Sequence, residues 1–224
     1  MLCNACASGM ADAYLIDMKL YYSPGASSLS PHIALREIER PFELERVDLR
    51  SRKTWSGVSF FKINPKGKVP ALQIDRDAIM TENVAVLQYI ADLAPERGLA
   101  PPNGTFARYH LQEWLSFIST ELHKEFSPLF EPDTPAPTAE RARTRIQERL
   151  RFVAEWMAHK PFLLGDTFTV ADTYLFVMLR WCERFDVDAR PLDGYFQRIA
   201  QRPSVHAALA AEGLIETKRH RRSA

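Results

Sequence analysis

Two neighbouring features of residues 64–92 predict a binding site for a small peptide. Val69 precedes Pro70, and X-Pro bonds adopt the cis form at modest cost, so an extended backbone here could turn the Val69 N–H and C=O toward a ligand. Glu82 and Asn83 begin a predicted helix, whose unpaired N–H groups and positive dipole end attract a carboxylate. Together the two features favour a small anionic peptide as the ligand.

A serine-containing turn is the second candidate for chemistry. Ser27 and Ser28 lie in residues 24–31, PGASSLSP, which join the first predicted strand to the first predicted helix. A thiolate placed there would meet O–H and N–H donors together, because the turn ends at a helix N-terminus. The alternative is that both hydroxyls simply cap the turn and the helix, as serine often does.

Three separated segments resemble those of the cytosolic glutathione S-transferases, and most closely those of the bacterial beta class. They are residues 19–37 (KLYYSPGASSLSPHIALRE), 64–92 and 168–175 (FTVADTYL), in the family's order and spacing within residues 18–216. The resemblance implies an α/β thioredoxin-like N-terminal domain followed by an all-α C-terminal domain. It also implies glutathione as co-substrate, a small electrophile as second substrate, and a homodimer.

The chain departs from the beta class at the serine turn, where that class usually carries cysteine at the position of Ser27 and serine at that of Ser28. Lowering a thiol pKa by two units requires about 2.7 kcal/mol. A hydroxyl hydrogen bond to a charged group supplies roughly 1.5–3 kcal/mol, and a helix N-terminus adds about 0.3–1 kcal/mol. Serine is therefore sufficient to activate a thiolate, but it cannot form a mixed disulfide. Ser27 is the first choice for this role, and Ser28 is the alternative.

The resemblance assigns further residues to glutathione. Glu82 and Asn83 match the pair that holds its γ-glutamyl end, and Val69, followed by Pro70, would bind through its backbone. Arg52, or with less support Lys53, matches a basic residue that meets the glycyl carboxylate.

A polar stripe on the first helix after the linker would complete the cleft. Ser116, Thr120 and His123 are spaced i, i+4 and i+7, and Lys124 follows. The spacing alone favours a solvated helix face. The resemblance instead implies that His123 and Lys124 belong to the active site, with His123 taking part in catalysis and the others binding glutathione.

The elements that must position these residues change in kind along the chain. Strands are predicted at residues 18–22 and 42–47, and between them a helix that is capped by Ser30 and has Pro31 at its first position. A hairpin and a second helix are predicted to follow. Beyond a proline-rich linker, apolar residues recur at helical spacing. Thr169 and Asp172 form a predicted capping box, for which we expect a structural role. The expected divisions are a disordered extension (1–17), a thioredoxin-like domain (18–96), a linker (97–104), a helical domain (105–217) and a basic tail (218–224).

Composition limits the other possibilities. A net charge of +1 gives no general attraction to nucleic acid or to an anionic membrane, and neither a signal peptide nor a membrane-spanning run is evident, which predicts a cytoplasmic protein. No metal site is predicted. Cys3, Cys6 and Cys182 are an odd number without disulfide spacing, which suits a reducing compartment.

Two other functions remain open from the sequence. Loss of the cysteine would suit a non-catalytic protein that binds glutathione and apolar ligands. A cysteine-dependent reductase or lyase is less favoured, because Cys182 lies on a predicted helix far along the chain, and Cys3 and Cys6 precede the fold.

Overall fold

The first half of the chain forms a mixed sheet with two helices. The computed structural model describes residues 18–75 and 78–215, so the predictions for residues 1–17 and 218–224 lie outside the described residues. The sheet has the strand order β3-β2-β1-β4-β5, in which β1 and β2 are parallel and the other pairs are antiparallel. Its elements are β1 (Met18–Tyr22), α1 (Leu29–Glu37), β2 (Phe42–Asp48), β3 (Lys53–Thr54), β4 (Ala71–Gln73), β5 (Ile79–Thr81) and α2 (Asn83–Asp92).

The central strand β1 is apolar because it is covered on both sides of the sheet. Leu20 pairs with Leu44 of β2 and with Leu72 of β4, and both Leu20 and Leu72 are fully buried. Apart from Lys19, the residues of β1 are apolar or aromatic, which is the pattern from which it was predicted as a buried strand. The predicted strands, hairpin and second helix are confirmed in this domain.

The start of α1 corrects the sequence prediction. The helix begins at Leu29, with Ser28 at the N-cap position, so Ser30 does not cap it and Pro31 is its third residue. Proline is tolerated there because the first four N–H groups of a helix have no partner within the helix. The Ser30 hydroxyl donates to the Ser27 carbonyl oxygen at 2.8 Å instead, which ties the serine turn to the first turn of the helix.

The second half is helical, as predicted. Its helices are α3 (Phe106–Phe117), α4 (Ser127–Phe130), α5 (Ala136–Trp156), α6 (Val170–Phe185), α7 (Asp193–Ala200) and α8 (Pro203–Ala211). Between α3 and α4 the chain widens into a π-helical turn (Ile118–His123) and then tightens into a 3₁₀ turn (Lys124–Phe126). The predicted apolar stripe is confirmed, because Leu111, Leu115, Ile118 and Leu122 are fully buried.

The capping box at the start of α6 is confirmed. The Thr169 N–H and hydroxyl donate to Asp172 Oδ2 at 2.8 and 3.0 Å. The Leu163 N–H and the Tyr195 hydroxyl donate to Asp172 Oδ1, each at 3.0 Å. Asp172 therefore fixes the start of α6 to the preceding loop and to α7.

The two halves share one apolar core. Helix α1 of the first domain packs against α6 and α8 of the second, and the main hydrophobic cluster contains residues from both. The serine turn is therefore positioned directly against the helical domain. Within residues 18–75 and 78–215, no helix is long and apolar enough to cross a membrane.

Candidate functional site

The serine turn between β1 and α1 is fastened from the helical domain. Gly25 has a φ of 69°, a conformation that favours glycine. Its carbonyl accepts a 2.8 Å hydrogen bond from Trp181 Nε1 of α6, and its N–H donates to Glu212 at 2.9 Å. These two hydrogen bonds hold the backbone of Gly25 and so fix the path of the turn.

The two candidate serines have different surroundings. Ser28 is fully buried, and its hydroxyl accepts from the Ser23 N–H at 3.1 Å and donates to the Ser23 carbonyl at 3.3 Å. The Ser27 hydroxyl makes a longer bond, 3.4 Å, to the Val69 carbonyl. Ser28 closes the turn on itself, whereas Ser27 faces the loop that carries Val69.

The Val69–Pro70 peptide bond is cis, which agrees with the expectation for this site. The loop before it is held by Asn64, whose Nδ2 donates to the Lys68 carbonyl at 2.7 Å, and by Arg52, whose guanidinium donates to the Gly67 carbonyl. Arg52 thus supports the loop in the structure.

Lys53 lies apart from these contacts. It is exposed in β3, in register with Asp48 of β2. Of the two basic residues assigned to the glycyl carboxylate, only Arg52 is tied to the predicted site.

Glu82 lies at the N-cap of α2 with φ 70° and ψ 117°, a conformation that costs a non-glycine residue about 1–3 kcal/mol. Its carboxylate accepts from Lys66 Nζ at 2.5 Å, which lowers its pKa, and the charges of Lys68 and Lys124 lower the pKa further. Strain of this size is typical of functional sites. The carboxylate is therefore ionised within a group of lysines from both domains.

Lys66 and Lys68 were missed by the sequence analysis. Their alternation in Asn64-Pro-Lys-Gly-Lys-Val-Pro places two cations just before the Val-Pro bond, which is a signal that could have identified them. Their proximity to Glu82 depends on the pairing of β4 and β5, which brings the two ends of the hairpin together.

Asn83 connects α2 to the serine turn. Its side chain is buried, and Nδ2 donates to the Ser30 hydroxyl at 2.9 Å, while that hydroxyl donates to the Ser27 carbonyl. Asn83 Oδ1 has no hydrogen-bond partner among the described residues. The predicted γ-glutamyl residue thus also supports the backbone of Ser27.

His123 lies at the end of the π-helical turn and is partly buried. Its Nδ1 is 2.6 Å from the Tyr174 hydroxyl, and its ring packs edge-on against Trp181. Burial lowers the pKa of His123 to about 4, and the charges of Lys124 and Lys68 act in the same direction. The imidazole is therefore neutral at pH 7.

The predicted polar stripe is only partly brought to the site. Ser116 and Thr120 are exposed, and the Thr120 hydroxyl donates to the Ser116 carbonyl at 3.0 Å within the helix. The π-helical turn changes the phase of the helix, so the ordinary i, i+4, i+7 spacing does not place these two residues with His123. Ser119, for which the sequence analysis predicted no role, acts to lower the pKa of Tyr174, the tyrosine beside His123.

Other possible reactive groups do not converge on this cleft. Burial raises the pKa of Cys182 to about 12, so this thiol is protonated at neutral pH. Among the described residues, no group of three or more His, Cys, Asp or Glu side chains could hold a metal ion.

A cavity of 790 Å³ lies elsewhere, between the segment after α2, α3 and the loop before α6. It contains none of the predicted site residues, and its walls include Trp114, Trp156 and Leu163. The cleft with the predicted chemistry is therefore separate from this apolar cavity.

Comparisons with known proteins extend over both halves of the chain. Residues 16–92 match the model of the glutathione S-transferase N-terminal domain, and residues 117–203 match that of the C-terminal domain. The chain is 44% identical to glutathione S-transferase GstA of Escherichia coli O157:H7, covering 88% of this chain and all of that protein. It is 41% identical to glutathione S-transferase GST-4.5 of Xanthomonas campestris pv. campestris, again over 88% of this chain and all of the relative.

Solved structures show the same similarity. A sphingomonad glutathione S-transferase complexed with glutathione is 47% identical, with a TM-score of 0.85, and the match covers 88% of this chain and 100% of that one. A ternary complex of the bacterial enzyme BphK is 51% identical, with a TM-score of 0.86 and the same coverage.

Proposed function

This chain belongs to the glutathione S-transferase family, and from this premise we propose that the Ser27 hydroxyl stabilises the thiolate of bound glutathione. The thiolate then attacks a small apolar electrophile. The sulfur forms the new bond, the leaving group departs with its electron pair in a substitution, and the thiol proton goes to solvent.

One observation carries the choice of Ser27. Its hydroxyl makes a long 3.4 Å bond to Val69, whereas Ser28 is fully buried and uses its hydroxyl inside the turn. A long bond to a neutral carbonyl is readily exchanged for a charge-assisted bond to a thiolate, since bonds to ionised groups are about twice as strong. Ser28 remains the alternative donor.

The peptide part of glutathione fits the surrounding groups. The backbone of Val69, preceding Pro70, would pair with the cysteinyl residue, and Glu82 with Asn83 would bind the γ-glutamyl end. Glu82 is already ionised, so it can accept from the ammonium of that end.

Basic residues supply the complementary charge for the glycyl carboxylate. Arg52 is our first candidate because it is tied to the loop before Val69. Lys53 is exposed on β3 and is the second. Lys66 and Lys68 instead place their positive charge beside Glu82.

The helical domain forms the opposite wall. His123 would act at the reacting sulfur as a neutral imidazole, and Lys124, whose charge reaches Glu82, would favour the anionic co-substrate. Ser116 and Thr120 would contribute at most at the exposed rim of this wall. The electrophile would enter from this side.

The decisive experiment compares Ser27→Ala with wild type. We expect the thiol pKa of bound glutathione, measured by the ultraviolet thiolate band against pH, to rise by about 1–2 units, because one charge-assisted hydrogen bond is lost. Conjugation of 1-chloro-2,4-dinitrobenzene should fall roughly 10- to 100-fold at pH 6.5. Ser28→Ala is the comparison variant and should shift the thiolate titration less than Ser27→Ala does.

Two outcomes would contradict the proposal in different ways. An unchanged thiolate pKa in Ser27→Ala, with a shift in Ser28→Ala, would transfer the role to Ser28. Tight glutathione binding by the wild-type protein without a thiolate band would favour a non-catalytic protein that binds glutathione and apolar ligands.

We also propose a homodimer in the cytoplasm. Exposed apolar side chains between β2 and β4, Trp55, Val58 and Phe61, are available for a protein contact. Light scattering coupled to size-exclusion chromatography measures the mass directly.

A further inference from the structure

The side chain of His123 is held by Tyr174, a tyrosine 51 residues further along the chain. The sequence pattern does not show that these two residues meet. Tyr174 of α6 is buried, and its hydroxyl lies 2.6 Å from His123 Nδ1. The two rings meet edge to face, with centroids 5.8 Å apart. The 2.6 Å between the hydroxyl oxygen and Nδ1 is short enough for one of the two groups to donate a hydrogen bond to the other. The direction of that bond decides which ring nitrogen carries the proton.

The hydrogen-bond partners of the Tyr174 hydroxyl settle the direction. Among the described residues, His123 Nδ1 is its one partner. Burial raises the pKa of Tyr174 to about 12, so the hydroxyl keeps its proton. A proton on Nδ1 would leave that buried hydroxyl proton without an acceptor, so the hydroxyl donates and Nδ1 accepts.

The orientation of Asn83 agrees with this assignment. Asn83 Nδ2 donates to the Ser30 hydroxyl at 2.9 Å, and Oδ1 has no partner among the described residues. Asn83 Oδ1 therefore does not accept the hydroxyl proton of Tyr174, which leaves His123 Nδ1 as its acceptor.

We propose that Tyr174 is a positioning residue that fixes His123 in the tautomer with Nδ1 unprotonated and Nε2–H directed to the reacting sulfur. His123 is then a hydrogen-bond donor to the thiolate and does not act as the base that removes the thiol proton. The role of His123 toward the thiolate rests on the proposed function, whereas its tautomer is a property of the protein without ligand.

The test is nuclear magnetic resonance of the full-length protein with ¹⁵N-labelled histidine at pH 7. The long-range ¹H–¹⁵N pattern distinguishes protonated from unprotonated ring nitrogens, and the His123→Gln variant identifies the His123 signals among the six histidines. We expect Nε2 protonated in wild type and a mixture of tautomers in Tyr174→Phe. Turnover with saturating glutathione should fall about tenfold in that variant, with a smaller change in the KM for glutathione.

Tyr195→Phe is the matched control, because it removes another buried tyrosine hydroxyl from the same domain without touching His123. It should leave the His123 signals unchanged. A wild-type His123 protonated on Nδ1, or an unchanged tautomer in Tyr174→Phe, would overturn the inference even if the enzyme is active. The expected tautomer in a protein without turnover would overturn only the proposed function.

Discussion

The helical domain contains two polar networks, one around Asp172 and one around His123. They are built from similar groups but have different roles. Each contains a tyrosine hydroxyl, Tyr195 in the first and Tyr174 in the second. Asp172 receives hydrogen bonds from donors on the loop before α6 and on α7, and it is fully enclosed. His123 is fixed at Nδ1 alone, at the edge of the cleft. A closed network stabilises the fold, whereas one with an unused side can act on a ligand.

Burial also shifts the pKa values of Asp172 and His123 in opposite directions. It raises the pKa of Asp172 to about 6, despite the donors around it, and lowers the pKa of His123 to about 4. In both cases the neutral form is favoured because the charged form loses its hydration. The comparison can therefore be tested through stability, through pH and through ligand affinity.

The largest effect is expected from Asp172→Ala. It leaves the Leu163 and Thr169 N–H groups and the Tyr195 hydroxyl buried without an acceptor, which should cost roughly 3–5 kcal/mol of the free energy of unfolding. Urea unfolding followed by circular dichroism measures this. His123→Gln is the comparison variant and should lose less than about 1 kcal/mol. Equal losses in both variants would remove the distinction between the two networks.

The second effect concerns acidification from pH 7 to pH 5. The folded pKa of His123 is lowered, so its contribution to stability is present above pH 6.5 and is lost as pH falls toward 4. The folded pKa of Asp172 is raised, so its contribution is present below pH 3.8 and is lost as pH rises through 6. In the wild-type protein the two contributions partly offset each other over this range.

Removing one titrating group should reveal the pH dependence that the other causes. Between pH 7 and pH 5, the free energy of unfolding of His123→Gln should rise by about 2 kcal/mol relative to wild type. That of Asp172→Asn should fall by about 1 kcal/mol relative to wild type. Urea midpoints at both pH values test this. Parallel pH dependence in all three proteins would show that neither group titrates as the burial argument requires.

The smallest effect on stability is expected at Glu82. Its ion pair with Lys66 is largely exposed, so Glu82→Gln should change the free energy of unfolding by less than about 1 kcal/mol. Glutathione affinity, measured by calorimetry, should fall about fivefold, because the carboxylate that would face the γ-glutamyl ammonium is lost. Glu43→Gln removes an exposed ion pair with Lys19 away from the site and should leave the affinity unchanged.

Much of the first domain was predictable because its signals are local. The largely apolar strand β1 and the hairpin after Pro70 depend on residues near each other in the chain, and so does the capping box of Thr169 and Asp172 in the second domain. The start of α1 was placed two residues late, because Ser30 looked like a cap and in fact bonds back to Ser27. A serine hydroxyl can serve either geometry, and the sequence does not distinguish them.

The sequence by itself determined the two-part fold and the family, and it predicted the candidate site residues. Only the tertiary structure decided how those residues are held: Asn83 on Ser30, Tyr174 on His123 and Trp181 on Gly25. These partners lie 53, 51 and 156 residues apart in the chain. Their meeting depends on the packing of α6 against α1 and on one π-helical turn, which shifts the faces of a helix and leaves no clear mark in hydrophobic spacing.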